Sequence, residues 1–144
     1  MNHKNIEYPT FTTSTGWIIL HHKIPCEDPS HYDKHSSEYG GRPGMTIWDL
    51  MFTQDMFNAT NMQLRLTLDI GWIPHASPKG NYELQLLALT EMSDGGEPFS
   101  VDWTNPVLNL STNHTRPIIK IIRTILESDR IELADLQTFW SSNS

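Results

Sequence analysis

The sequence predicts an α+β fold, in which an antiparallel sheet of four to five strands carries a C-terminal amphipathic helix on one face. Two observations support this prediction. Apolar and polar residues alternate with period two between Asn61 and Thr104, in segments separated by turn formers. Isoleucines then recur at helical spacing between Thr115 and Glu127. A chain of 144 residues is long enough to bury a core, and we expect a single domain.

The alternating segments predict a meander of three strands. They run from Asn61 to Ile70, from Asn81 to Leu89 and from Phe99 to Trp103. The connections at 74–80 and 93–98 are rich in Pro, Gly, Ser and Asp, residues that favour tight turns. Strands joined by such short connections pair antiparallel.

The helix after the meander has the clearest signals of the chain. Thr115 is a good capping residue, and Pro117 fits the first turn because no amide donor is needed there. Its apolar stripe comprises Ile118, Ile119, Ile121, Ile122, Ile125 and Leu126. Isoleucine is a mediocre helix former, so we expect packing against the sheet to hold this helix.

The N-terminal half is less regular. Residues 1–14 are polar and predict an extended lead-in, and the apolar run 16–22 predicts a first strand, either buried on both faces or early in the sheet. Residues 24–44 contain many prolines, glycines and serines and predict a long loop. Thr46, followed by an acid three residues later, predicts a capped helix over 46–58.

The C-terminus predicts one more helical segment. Leu133, Leu136 and Trp140 fall at helical spacing within 131–140. Residues 141–144 are small and polar, which predicts a frayed tail.

Charge and composition exclude some functions. The net charge of −7 argues against nucleic-acid binding, which needs a basic face, and favours attraction to a basic partner. No apolar run reaches the roughly 18 residues of a membrane span, so we expect no membrane partner. The absence of an apolar leader-like segment and the single cysteine, Cys26, favour the cytoplasm.

A histidine-rich segment offers a metal-binding alternative. Residues 21–35 contain four histidines, one cysteine and several acids, and His31 and His35 are four residues apart. That spacing pairs two ligands only on a helix, and the Pro and Ser content predicts a loop instead. We therefore predict no metal and no other cofactor, with a metal-dependent hydrolase using this segment as the alternative function.

Other catalytic signatures are absent from the sequence. No Gly-x-Ser-x-Gly nucleophile motif and no phosphate-binding Gly-Lys-Ser/Thr ending occur. General acid–base candidates at strand or turn ends are Asp69, His75 and His114, and nothing in the sequence fixes their geometry. We therefore predict that the protein is not an enzyme.

A protein-binding surface is predicted at the strand ends and their loops. Trp72 and Trp103 lie at strand ends, where an amphipathic ring can anchor a partner, although core packing is the commoner role of tryptophan. Acidic loop residues can attract a basic partner. The predicted partner-binding residues are Trp72, His75, Asp94, Glu97 and Asp102.

Part of the chain, about residues 62–127, resembles a known class of proteins. The shared features are Gly71-Trp72-Ile73-Pro74, Gly80-Asn81-Tyr82-Glu83-Leu84, Asp102-Trp103-Thr104-Asn105-Pro106, Thr115-Arg116 and Ile125-Leu126-Glu127. These segments are similar to small bacterial immunity proteins that are encoded beside polymorphic toxins, including those of contact-dependent growth-inhibition systems.

The resemblance implies a cytoplasmic, non-catalytic protein that binds a cognate protein toxin. Such toxins are often nucleases with a basic active-site cleft, which an acidic immunity protein would occlude. Binding residues vary with the toxin in these proteins, so none can be transferred to this chain. The sequence does not predict the oligomeric state, and a homo-oligomeric scaffold is a third alternative function.

Overall fold

The structure is a computed structural model that describes residues 3–14, 16–39, 45–91 and 99–144. The described residues form six strands, four helices and one 3-10 turn over Ser36–Glu38. The strands are β1 (Trp17–His22), β2 (Phe57–Asn61), β3 (Leu66–Ile73), β4 (Asn81–Glu91), β5 (Phe99–Val101) and β6 (Leu108–Thr112). The helices are α1 (Pro29–Lys34), α2 (Ile47–Met51), α3 (Thr115–Leu126) and α4 (Leu133–Asn143).

All pairings in the sheet are antiparallel. Strands β1, β2, β3 and β4 follow one another in space, and β4 then pairs with both β5 and β6. β6 pairs with the first half of β4 and β5 with its end. The predicted α+β fold with an antiparallel sheet and a C-terminal helix is confirmed, and the sheet is slightly larger than expected.

One face of the sheet, here called the inner face, forms the hydrophobic core. Leu68 and Ile70 of β3 lie opposite Leu86 and Leu84 of β4, and all four are fully buried. The predicted stripe of α3 lies in the same core, although Ile119 is only partly buried. The fully buried members of the stripe are Ile118, Ile121, Ile122, Ile125 and Leu126. Burying such a side chain contributes about 1.5–3 kcal/mol, which offsets the modest helix propensity of isoleucine.

A buried polar contact fixes the start of α3. The hydroxyl groups of Tyr82 and Thr115 lie 2.8 Å apart, and the Thr115 amide donates to Asp28 Oδ1 at 3.0 Å. The N-cap position belongs to His114, so the prediction that Thr115 caps the helix is wrong. Asp28, which is 87 residues away in the chain, satisfies the free amide instead.

Two element boundaries differ from the prediction. The capping box at Thr46 is present, but α2 ends at Met51, so the helix predicted over 46–58 is too long. Phe57 instead begins β2, where buried residues alternate with half-buried ones. The strand predicted from Asn61 begins at Leu66, because the Asn61 side chain accepts two amide hydrogen bonds that close a turn over 62–65.

Two further segments are more ordered than predicted, and the predicted first strand is an edge strand. The segment 24–44 contains α1 and the 3-10 turn, while its residues 40–44 lie outside the described part of the chain. The tail 141–144 continues α4 as far as Asn143. β1 lies at an edge of the sheet and is not buried on both faces, because Ile18 and Leu20 are 60% and 66% exposed.

The described part of the lead-in 1–14 holds no helix or strand, as predicted, apart from an isolated bridge between Lys4 and Tyr39. It is nevertheless anchored to the domain. The Ser14 amide donates to the Leu126 carbonyl at the end of α3, and the Cys26 amide donates to the Glu7 carbonyl. No helix within the described ranges is long and apolar enough to cross a membrane.

Truncating the buried isoleucine face of α3 should destabilise the fold. We expect Ile122→Ala to lower the free energy of unfolding by about 2–5 kcal/mol, because it removes core contacts and leaves a cavity. The matched control is Ile18→Ala at the exposed strand edge, for which we expect less than about 1 kcal/mol. Urea denaturation followed by circular dichroism measures both, and equal losses would contradict the assigned core.

Candidate functional site

The face of the sheet opposite the core, here called the outer face, carries a row of polar side chains. Cross-strand pairing places His21 beside Asn58, Asn58 beside Asp69, Asp69 beside Gln85 and Gln85 beside Asn109. Paired residues of antiparallel strands share a face, so the row crosses β1, β2, β3, β4 and β6. This row gives the outer face a polar surface with an ionisable group near its middle.

A cleft of about 470 Å³ opens on this surface at the end nearer β1. Its volume lies within the range of about 300–1,000 Å³ that is common for small-ligand pockets. Trp103, which is 57% exposed, contributes the largest side chain. The cleft is lined by His21, Asp55, Phe57, Asn58, Asp69 and Trp103.

Trp103 is held at the cleft by the connection between β5 and β6. At the two ends of this connection, the Asp102 amide donates to the Ala88 carbonyl and the Val107 amide donates to the Leu86 carbonyl. Both acceptors belong to β4, so the connection is fixed to the sheet while the Trp103 ring remains accessible. An exposed ring on a fixed backbone is a low-entropy contact surface.

Asp55 reaches the cleft because the chain before β2 lies against Gly71. The Trp72 amide donates to the Thr53 carbonyl at 2.8 Å. A Cβ atom at Gly71 would lie 2.2 Å from the Gln54 carbonyl oxygen, so only glycine permits this close approach. Gly71 therefore allows the chain to place Asp55 at the cleft. The position of Gly71 in the strand pattern of the sequence does not indicate this role.

His21 lies on the outer face because β1 contains an irregularity. The register shifts between Ile19 and His21. These two residues are two positions apart in β1, but they pair with Ala59 and Asn58, which are adjacent in β2 and point to opposite faces. The His21 Nε2 atom lies 2.9 Å from the Asp55 carbonyl oxygen. Because a carbonyl oxygen can only accept, Nε2 donates, and Nδ1 of the neutral ring remains an acceptor.

Asp69 has the most perturbed carboxyl group of the cleft. Burial raises the pKa of Asp69, a hydrogen bond from Asn58 opposes the rise, and the neighbouring charge of Asp55 adds to it. No salt bridge among the described residues involves Asp69 or Asp55. The cleft thus presents two carboxylates without a salt-bridge partner among the described residues, although the Lys23 ammonium group is close enough to interact electrostatically with Asp55.

The structure distributes the predicted partner-binding residues unevenly. Trp72 is fully buried and donates from Nε1 to the Ser77 carbonyl at 2.7 Å, so it belongs to the core and not to a binding surface. His75 is exposed in the connection between β3 and β4. Asp102 lies beside Trp103, outside the cleft lining. Asp94 and Glu97 fall outside the described residues.

Asp102 is engaged by its own loop. Its Oδ1 atom accepts hydrogen bonds from the Thr104 hydroxyl at 2.8 Å and from the Thr104 amide at 3.2 Å. These bonds lower the pKa of the Asp102 carboxyl group. Asp102 therefore stabilises the turn that carries Trp103.

The segment that holds His31 and His35, the residues of the alternative metal site, also differs from the prediction. Both residues lie at or next to the short helix α1, and their rings are 4.7 Å apart, so the prediction of a loop here is wrong. His31 Nε2 contacts the Tyr39 hydroxyl at 2.7 Å, and His35 Nδ1 pairs with Glu38. Within the described ranges, no three His, Cys, Asp or Glu side chains are arranged to hold a metal ion.

Comparison with known proteins identifies no relative. No protein-family model matches the chain, and no significant match occurs among curated proteins or solved structures. The candidate site therefore depends on the geometry of this chain alone.

Sequence patterns found only part of this cleft. The sequence patterns identify Asp69 as an acid–base candidate, Trp103 as a candidate binding anchor and His21 as a member of the histidine-rich segment. Asp55 and Asn58 were missed because they fall within the incorrectly predicted helix over 46–58. The alternation of β2, with Phe57 and Ala59 inward and Asn58 outward, was the signal that could have found Asn58.

Replacing Asp69 should change stability in a pH-dependent way. The pKa of the Asp69 carboxyl group is raised above its ordinary value of 3.8 in the folded state. Ionisation of this group therefore opposes folding, and the resulting loss of folding free energy grows as pH rises through the raised pKa. We therefore expect the stability of Asp69→Asn, measured relative to the unsubstituted protein, to increase as pH rises from 3 to 7. Urea denaturation at several pH values measures the trend.

Asp102→Asn is the matched control for this experiment. The folded state lowers the pKa of the Asp102 carboxyl group from its ordinary value of 3.8. The ionised form of this group therefore favours folding at pH values above 3.8. The variant should therefore lose stability relative to the unsubstituted protein as pH rises over the same interval. Two trends of the same sign would contradict the assigned environments of the two carboxyl groups.

Proposed function

We propose that this protein is an immunity protein that binds and neutralises a cognate protein toxin. The observation that carries the proposal is the outer face of the sheet, where an exposed tryptophan borders a cleft with two carboxylates. The resemblance of residues 62–127 to immunity proteins of polymorphic toxins supports the same function. In this proposal the protein acts in the cytoplasm by binding, without catalysing a reaction.

Exposed apolar side chains extend the proposed binding surface. On the outer face, Ile18 is 60% exposed and pairs with Thr60, and Ile73 at the end of β3 is 48% exposed. Interfaces are enriched in tryptophan, which often supplies much of the binding energy from a central position. Among the described tryptophans, Trp103 is the one with an exposed ring, and it is the proposed anchor.

Charge supports a basic partner. The chain carries 17 acidic and 10 basic residues. On the outer face, Asp69 and Glu83 project from neighbouring strands, with Asp55 at the cleft. Acidic surfaces accelerate association with basic partners and disfavour acidic ones. A nuclease toxin, whose active-site cleft must bind phosphates, has the complementary charge.

Neutralisation follows from steric occlusion in this proposal. The outer face would cover the basic active-site cleft of the toxin and prevent nucleic acid from entering it. The immunity protein needs no catalytic group for this effect. The strength of inhibition then depends on the dissociation rate of the complex, which is where most differences in affinity between related complexes arise.

Co-expression with the product of the adjacent open reading frame tests the proposal. We expect the two proteins to copurify and the chain to rescue cells from growth arrest. Trp103→Ala should weaken the complex by about 2 kcal/mol, roughly 30-fold, because an anchoring tryptophan is lost. Calorimetry measures this loss, and a protection assay shows its effect in cells.

Leu133→Ala is the control for this substitution. Leu133 is an exposed apolar residue on α4, 39% accessible and outside the proposed surface. The Leu133→Ala variant should leave the affinity for the toxin and the protection of cells unchanged. Absence of both copurification and protection would refute the proposed function, whereas equal effects of the two variants would refute the assigned surface.

A further inference from the structure

We infer that the cleft on the outer face receives an arginine side chain of the partner protein, with its guanidinium group against Trp103 and its donors directed at Asp55 and Asp69. This inference rests on the proposed function and names the chemistry by which the partner is recognised. It depends on three properties of the cleft: its acceptors, its aromatic wall and the partial burial of Asp69.

The polar lining consists mainly of acceptors. Asp55 and Asp69 provide carboxylate oxygens, and the neutral form of His21 provides Nδ1 as an acceptor, since its Nε2 donates to the Asp55 carbonyl oxygen. The Asn58 amide group is directed at neighbouring acceptors, including the Thr67 hydroxyl at 3.4 Å. Among the described residues, no lysine or arginine lines the cleft. A ligand that supplies several donors and a positive charge therefore complements it.

The aromatic wall favours a guanidinium over an ammonium group. An accessible indole ring attracts cations to its face, and a planar guanidinium can also stack on it. Guanidinium carries five N–H donors in a fixed fork, so it can face a ring and bond to two acceptors at once. An ammonium group is compact and more strongly hydrated, and it gains less from this arrangement.

The partial burial of Asp69 makes the interaction stronger than one at an open surface. A carboxylate that is partly removed from water without a cationic partner costs stability. A guanidinium group that enters the cleft compensates this cost and acts at lower local dielectric than at an exposed site. By the same reasoning, Asp69 should contribute more to binding than the exposed Asp55.

A small-molecule titration tests the inference without any toxin. N-acetyl-arginine methylamide is added to the labelled protein, and the Trp103 indole N–H resonance is followed by NMR and assigned with Trp103→Phe. We expect a saturable shift with a dissociation constant on the order of millimolar. The citrulline analogue has the same shape without the charge, and it should cause no saturable shift.

Two variants and a second ligand complete the test. Asp69→Asn should weaken binding of the arginine compound about three- to tenfold, because the more desolvated carboxylate is lost. Asp33→Asn removes the same charge from the exposed surface of α1, outside the cleft, and should change binding less than about twofold. The lysine analogue should bind more weakly than the arginine compound.

The possible results separate this inference from the proposed function. Equal binding of the arginine and citrulline compounds, stronger binding of the lysine compound, or no effect of Asp69→Asn would overturn the arginine cleft even if the protein binds its toxin. Conversely, Asp69-dependent arginine binding together with no toxin complex would leave the cleft standing and refute the immunity function. In a confirmed complex, Asp69→Asn combined with arginine-to-alanine changes in the toxin should show non-additive losses for one arginine.

Discussion

The structure depends on the packing of one isoleucine-rich helix against one face of an antiparallel sheet. Burial of the α3 side chains and of alternate residues from β2, β3, β4 and β6 supplies the core. Residues at the intervening positions must then point to the other face, because side chains alternate along a strand. These positions hold the polar row from His21 to Asn109. The packing that stabilises the fold thus also determines which residues are available for binding.

Long-range polar contacts connect the core with its periphery. Asp28, from the segment before α1, satisfies the amide of Thr115 at the start of α3, while the Thr115 hydroxyl contacts Tyr82 of β4. On the other face, Gly71 allows the chain before β2 to cross closely and place Asp55 at the cleft. Both contacts join segments that are distant in sequence, and each needs one small or polar residue at a defined place.

The cleft combines features that lower the stability or the solubility of the isolated domain. A partly buried carboxylate, a neighbouring carboxylate and an exposed indole ring all cost free energy or solubility in the isolated domain. Such features are common at binding sites, where a partner compensates them. His31 in α1 and His35 next to it differ in this respect, because they already have partners in Tyr39 and Glu38.

The sequence by itself determined the α+β class, the strands β3 and β4 and the helix α3, since each is a long segment with strong periodicity. It also marked Asp69 and Trp103 as polar and aromatic residues at strand ends. Only the tertiary structure decided that Trp72 is buried, that β2 replaces the end of a predicted helix, and that His21 reaches the outer face. The reason is physical: periodicity reports which side of an element is apolar, whereas a bulge, a cross-chain contact and the direction of a loop depend on what the element packs against.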